Sequence, residues 1–240
     1  DEAADLGIDD LEHGFFVNTQ LDPGKTPDVC PETRGTPTLL AMAPDGPEAK
    51  ALIGKLVAKH VAITSTLPVF ESSVPGRPPL RQAQLDAMTP EARTAYLYMR
   101  ARPTSLPPRK FDPAAMLARD MALERAFVAA GGLLLAGPDP TGNGGVLPGF
   151  GDQRELELLV EAGFSPVDAI QIGTHNGAVY LGRDAIGSLE VGKAADIVFV
   201  TGNPAEHIAD IENVRVVFRD GVGYDPAKLL ASVTQRYGQY

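Results

Sequence analysis

Apolar positions along this chain switch repeatedly between strand-length runs and helical stripes, and the switches mark its elements. Ile8–Glu12, Val61–Leu67 and Leu133–Ala136 read as short strands. The second is rich in β-branched residues. The third is apolar throughout, as a parallel strand covered on both faces is. Between the first two, Leu52, Ile53, Leu56 and Val57 form an i, i+1, i+4, i+5 stripe that predicts a helix over Pro47–His60. Before the third, Asp112-Pro113 supplies an N-cap and a first-turn proline. Leu117, Met121 and Val128 give that helix a buried face, and Gly131-Gly132 ends it. Strand, helix, strand, helix, strand is the alternation of βα units around a parallel sheet.

The remaining pattern fills in around this core. Asp1–Leu6 reads as a helix tail stopped by Gly7, so the chain is expected to begin inside a structural unit. Pro23, Pro27, Pro31 and Pro37 are expected to break regular structure in the first long loop. Pro75, Pro78 and Pro79 mark a second loop, followed by a modest helix over Glu91–Arg100 and an extended Pro103–Lys110. Glu155–Glu161 predicts a helix capped by Gly163. Ser165-Pro166-Val167-Asp168 opens another, with Ser as N-cap, Pro at N1 and an acid at N3, running to Leu181-Gly182. The periodicity then changes. Asp196–Val200 and Val214–Phe218 are strand candidates, with turns at Gly202-Asn203-Pro204 and Asp220-Gly221. Pro226–Tyr237 reads as a terminal amphipathic helix. The pattern divides the chain into βα units over 1–183, a small β unit over 184–225 and the helix over 226–240.

Charge and composition narrow the partners. A net charge of -10 argues against nucleic acid and anionic membrane surfaces, and fits small neutral or cationic substrates. No apolar run reaches membrane-span length, and acidic Asp1-Glu2-Ala3-Ala4-Asp5 is unlike the basic start of a signal peptide. Cys30 is the single cysteine, which excludes an internal disulfide.

His13 and Asp139 follow strand candidates at their C-terminal ends, where βα folds place chemistry. Each also has a plain reading, His13 as a satisfied strand-end histidine and Asp139 as a turn residue between Pro138 and Pro140. Glu71 closes the second strand candidate and reads as a substrate contact or a solvated loop acid. His60 suits a helix C-terminus. His175, inside a helix, and His207, in a polar turn, read as structural or solvated, and Tyr96 and Tyr98 as packing. The stretch Thr141–Gly149 lacks the G-x-G-x-x-G spacing and the Walker ending, which disfavours nucleotide binding. It reads as a flexible loop over the mouth of a site.

Four stretches carry a resemblance: Glu12-His13-Gly14, Gly137-Pro138-Asp139, Glu155-Leu156-Glu157-Leu158-Leu159-Val160-Glu161-Ala162-Gly163, and Ile186-Gly187-Ser188-Leu189-Glu190-Val191-Gly192-Lys193-Ala194-Ala195-Asp196-Ile197-Val198. Together they are similar to the C-terminal half of the amidohydrolase superfamily, in its imidazolonepropionase-like and Xaa-Pro-dipeptidase-like branch. The Gly-Ser-Leu-Glu-x-Gly-Lys-x-Ala-Asp stretch is the most specific. The resemblance implies an α/β fold, the C-terminal part of a metal-dependent (β/α)8 TIM barrel (strands six to eight) plus part of a small β-sandwich.

The resemblance also assigns chemistry. His13 matches the histidine on strand six and Asp139 the aspartate on strand eight. Implied with them is hydrolysis of an amide, cyclic amide or dipeptide carbon–nitrogen bond by water activated on a divalent metal, with zinc expected. Asp139 would ligate the metal and carry the proton from water to the leaving nitrogen. His13 would ligate metal in a binuclear site or stabilise the oxyanion in a mononuclear one. Catalytic zinc takes about three protein ligands, whereas this chain has no His-x-His and three of eight strands. It is therefore expected to be a portion of a longer or split enzyme, carrying part of the site and acting on a small-molecule or dipeptide-like substrate. Homo-oligomerisation or a missing N-terminal half would complete it. The alternative is a non-catalytic barrel fragment serving as a binding or assembly module. Open sheet edges would leave such a piece poorly stable or oligomeric.

Overall fold

A computed structural model of the chain describes residues 1–101, 110–140 and 145–238. The expected extended segment falls mostly, and the start of the expected mouth loop (141–144) wholly, outside these residues.

The first half contains α1 (Glu2–Asp5), β1 (Asp10–Glu12), α2 (Thr36–Ala41), α3 (Pro47–Ala58), β2 (Ala62–Ser65) and α4 (Leu67–Glu71). It continues through α5 (Gln82–Ala87), α6 (Pro90–Ala101), α7 (Pro113–Ala129) and β3 (Leu134–Ala136). The three strands form a parallel sheet in the order β1-β2-β3. Their register is level: Leu11 pairs with Ile63 and Ile63 with Leu134, while Glu12 pairs with Thr64 and Thr64 with Leu135. Since side chains alternate along a strand, the Leu11–Ile63–Leu134 row turns to one face. There it joins a core with Leu52 and Leu56 of α3, Leu123 and Phe127 of α7, and Leu158 and Leu159 further along the chain. Each fully buried side chain of this kind contributes roughly 1.5–3 kcal/mol relative to exposure.

After β3 come α8 (Phe150–Glu161), α9 (Pro166–Ile172), α10 (His175–Tyr180), β4 (Ile197–Val200), a 3-10 turn over Ile208–Glu212, β5 (Val214–Arg219), β6 (Val222–Tyr224) and α11 (Pro226–Ser232). The last three strands make an antiparallel sheet in the order β4-β5-β6. Asp220 and Gly221 close the β5–β6 hairpin with φ of 50° and 78°. Two positive φ values in a two-residue loop match strand twist, which is why Asp-Gly is favoured there.

Several local expectations are corrected. Pro37 does not break structure; it stands in the first turn of α2, where its missing N–H costs nothing. The second strand does not run into Phe70-Glu71, because Pro68 similarly opens α4. The helix expected over Ser165–Leu181 is two helices, parted at Gly173-Thr174. The helix expected from Glu155 starts at Phe150, and the terminal helix stops at Ser232. Val146 and Leu147, expected in a flexible loop, are buried. Tyr96 packs in a second apolar cluster, but Tyr98 is 52% exposed.

Candidate active site

Three strand ends meet on one level. His13 follows β1 directly, and the N–H groups of His13 and Gly14 both donate to the Thr64 carbonyl, at 3.1 and 3.2 Å. Gly137 N–H donates to Ser65 O at 2.9 Å, which ties the chain beyond β3 to the end of β2. Asp139 lies two residues further on. His13 and Asp139 both adopt positive φ, 72° and 45°. Such backbone is uncommon outside glycine and is held by surrounding structure.

The two predicted residues come together. His13 Nδ1 lies 3.1 Å from Thr66 Oγ1 and 3.8 Å from Asp139 Oδ2. Each side chain is about one-third exposed, at 35% and 36%. Phe70 meets the imidazole edge-on at 6.0 Å, and Phe16 stacks on Phe70. The imidazole therefore has an aromatic neighbour as well as a hydroxyl and a carboxylate. Beside it, Glu12 is held above its ordinary range by partial burial first, then by Asp10 and Asp139, with His13 opposing. Thr66 was not among the sequence candidates. Its only signal is its place just past the end of β2.

Glu71 stands apart from the strand ends. It is the last residue of α4, wholly buried, and its oxygens are occupied. Arg77 Nε donates to Oε1 at 2.8 Å; Arg154 donates from Nη2 to Oε1 at 2.7 Å and from Nε to Oε2 at 2.9 Å. Arg77 also grips Glu161 with two bonds, and Arg154 and Arg81 both bond Glu157. Arg81 reaches Glu212 as well, joining α8 to the 3-10 turn before β5. Glu71 is thus the buried centre of an ionic network.

A second set of acids escaped the sequence reading. Asp120 and Glu124 of α7 and Glu155 of α8 are buried beneath the strand ends. Asp120 Oδ1 accepts the Phe15 N–H at 2.7 Å, and Glu124 Oε2 accepts the Ser65 hydroxyl at 2.9 Å. Asp120 Oδ2, Glu124 Oε1 and both Glu155 oxygens have no hydrogen-bond partner among the described residues. Burial dominates their acidity, raising Asp120 to about 7 and Glu155 to about 8, and Glu124 well above the carboxylate range with help from its two acidic neighbours.

His13 and Asp139 offer one nitrogen and one oxygen donor that a divalent metal could share. Among the described residues no group of three His, Cys, Asp or Glu is arranged to hold one, so these two donors do not by themselves make a metal site.

Comparison with known proteins bears on the family and the fold. The amidohydrolase family matches residues 144–222, about a third of the chain. No curated protein matches it significantly. Among solved structures, a Xaa-Pro dipeptidase with methionine bound in its active site is 23% identical with a TM-score of 0.56, over 93% of this chain and 41% of its own. A putative prolidase from Bifidobacterium longum is 22% identical with a TM-score of 0.55, over 93% and 43%. Bottromycin amidohydrolase is 21% identical with a TM-score of 0.58, over 97% and 50%. The chain thus spans between about two fifths and half of the length of these structures. It shares part of their α/β fold and is similar to the amidohydrolase family over residues 144–222, which hold the Glu155–Gly163 and Ile186–Val198 stretches of the resemblance read from its motifs; the His13 and Asp139 stretches lie outside that match.

Proposed function

We propose that this chain supplies part of the active site of a metal-dependent amidohydrolase that hydrolyses a carbon–nitrogen bond in a small amide or dipeptide-like substrate. In this reading β1, β2 and β3 are three consecutive strands of a (β/α)8 barrel, and β4–β6 belong to a β-sandwich. The observation that carries it is the approach of His13 Nδ1 to Asp139 Oδ2 at 3.8 Å from the ends of two strands separated by a third. An assembly module has no need of a histidine and a carboxylate converging at one strand-end level. Two structures of the same fold, a prolidase holding N-methylphosphonate-L-proline and the Xaa-Pro dipeptidase above, make a dipeptide-like ligand the first to try.

His13 and Asp139 would be two of the donors for a divalent cation, with zinc first in expectation; the remaining donors come from elsewhere in the complete enzyme. Bound there, the cation would polarise the scissile carbonyl and acidify a water. Asp139 accepts the proton of the attacking water at a carboxylate oxygen and returns it to the leaving nitrogen. Thr66 fixes the imidazole through Nδ1, and nothing bonds Nε2 among the described residues. In this reading that ring nitrogen would ligate the cation or stabilise an oxyanion.

Replacing Asp139 by Asn in the complete enzyme keeps the shape and removes the proton acceptor. Turnover of dipeptide and N-acyl amino acid substrates is expected to fall about 10²- to 10⁴-fold. Rates within a few-fold of the parent would remove Asp139 from the chemistry. Plasma mass spectrometry of the dialysed protein checks the cation separately.

A further inference from the structure

The three buried acids beneath the strand ends are not used by the proposed reaction. A Cβ built on Gly14 would lie 2.7 Å from Asp120 Oδ2 and 2.8 Å from Glu124 Oε1. These are two of the four cluster oxygens without partners among the described residues, and both converge on one point against the turn that presents His13. The same acids hold the turn and the strand from below: Asp120 takes the Phe15 N–H, and Glu124 takes the hydroxyl of Ser65, the neighbour of Thr66. Glu155 approaches Ser65 and the Leu67 N–H without a well-formed bond to either.

Among the described residues no cation forms an ion pair with these acids. On α7, Arg119 donates to the Met42 carbonyl and Arg125 is exposed. On α8, Arg154 is committed to Glu71 and Glu157, and Asp152 adds negative potential at Glu155. From α4, Glu71 is held by Arg77 and Arg154. His13 turns to Thr66 and Asp139, while Ser65 and Thr66 carry no charge. Three ionised carboxylates in an uncompensated interior would each carry a desolvation penalty of several kcal/mol. Neutralisation by protons removes that penalty and gives the orphan oxygens a donor.

We propose that Asp120, Glu124 and Glu155 form a proton-sharing cluster that positions the His13–Gly14 turn and the Ser65–Thr66 strand end, and that ionisation of the cluster releases both. The three are positioning residues. The sign follows from linkage. A carboxyl whose proton is held more tightly in the folded than in the unfolded state stabilises fully below the unfolded value of about 4, and that stability is lost as pH rises through the folded value. The window here runs from about 4 up to about 7 for Asp120 and about 8 for Glu155.

The test uses the purified chain, its Glu124→Gln and Glu155→Gln variants and the pair combined, melted by circular dichroism from mildly acidic to mildly alkaline pH. The amides mimic protonated acids in shape. The parent's Tm is expected to drop by several degrees as pH passes neutrality, and the paired variant, which keeps only Asp120 of the three acids, to drop by less over the same range. The variants differ from the parent only at the carboxyls, so the comparison isolates them. Infrared spectra of the parent are expected to show a protonated-carboxyl stretch at neutral pH that weakens in alkali; this needs no variant to fold. Parallel pH profiles for parent and variants, absence of that stretch, or a stoichiometric metal lost on Glu124→Gln would each overturn the proposal.

Discussion

Gly14 stands where no side chain fits. Its φ is +56°, and an added Cβ would meet the carboxyl oxygens of both Asp120 and Glu124 at 2.7–2.8 Å. Gly14→Ala therefore combines backbone strain with overpacking against two rigidly buried acids. A loss of about 1–3 kcal/mol is expected, read as a lowered urea midpoint. Gly54 in α3 is the control. It is exposed, has helical backbone, and nothing lies within 4 Å of its Cβ position. Gly54→Ala should stabilise by roughly 0.5–1 kcal/mol, because alanine loses less backbone entropy on entering a helix. If both substitutions shift the midpoint the same way, the turn at Gly14 is looser than its contacts indicate.

Caps decide how firmly each helix is tied to the rest. Asp112 accepts the N–H groups of Ala114 and Ala115 at the start of α7, whose buried face includes Leu117, Leu123 and Phe127. Asp112→Ala should lower global stability by about 1 kcal/mol, measured by denaturant unfolding. Asp225 makes the matching bonds to Ala227 and Lys228 in α11, which buries no residue. Asp225→Ala should leave the global transition in place and speed amide exchange in α11 alone. The start of α7 was legible because Asp-Pro is a local signal. So were β2 and β3, whose apolar runs stand out in the chain, whereas β1 is shorter than the expected Ile8–Glu12 and holds one apolar residue, Leu11. The buried acids were not. Asp120 and Glu124 continue the stripe Met116, Leu117, Leu123, Phe127, and Glu155 continues Leu158 and Leu159, so a reading that counts apolar residues alone passes over them. Glu71 was misplaced because Pro68 starts a helix where a strand's continuation was expected. His13 and Asp139 were legible as residues. Their approach was not, since it depends on the level register of three strands and on Thr66.

At the scale of the whole molecule, two sheets leave apolar surface and open edges. In the order β1-β2-β3 each outer strand is paired on one side among the described residues. Val198, Phe199, Val222 and Tyr224 of the antiparallel sheet are all exposed, as are Leu229 and Leu230 of α11. A three-stranded sheet with so little cover buries too few apolar contacts to stand well alone. The 3-10 turn before β5 is tied to α8 by Arg81, which pairs with both Glu157 and Glu212, and by the bond from Gln153 to the Ile211 carbonyl. Exposed apolar strands and unpaired edges favour association, while a net charge of -10 opposes it by repulsion between copies. Salt separates the two forces. Screening shortens the repulsion to within about 10 Å at 0.1 M salt and leaves apolar contact untouched, so sedimentation velocity should show association that grows with both concentration and salt. Phe199→Lys together with Val222→Lys puts two charges on the exposed strands and should reverse that growth. Association that weakens with salt would assign it to ionic contacts instead, and a monomer under every condition would mean that the two sheets are sufficiently covered as they stand.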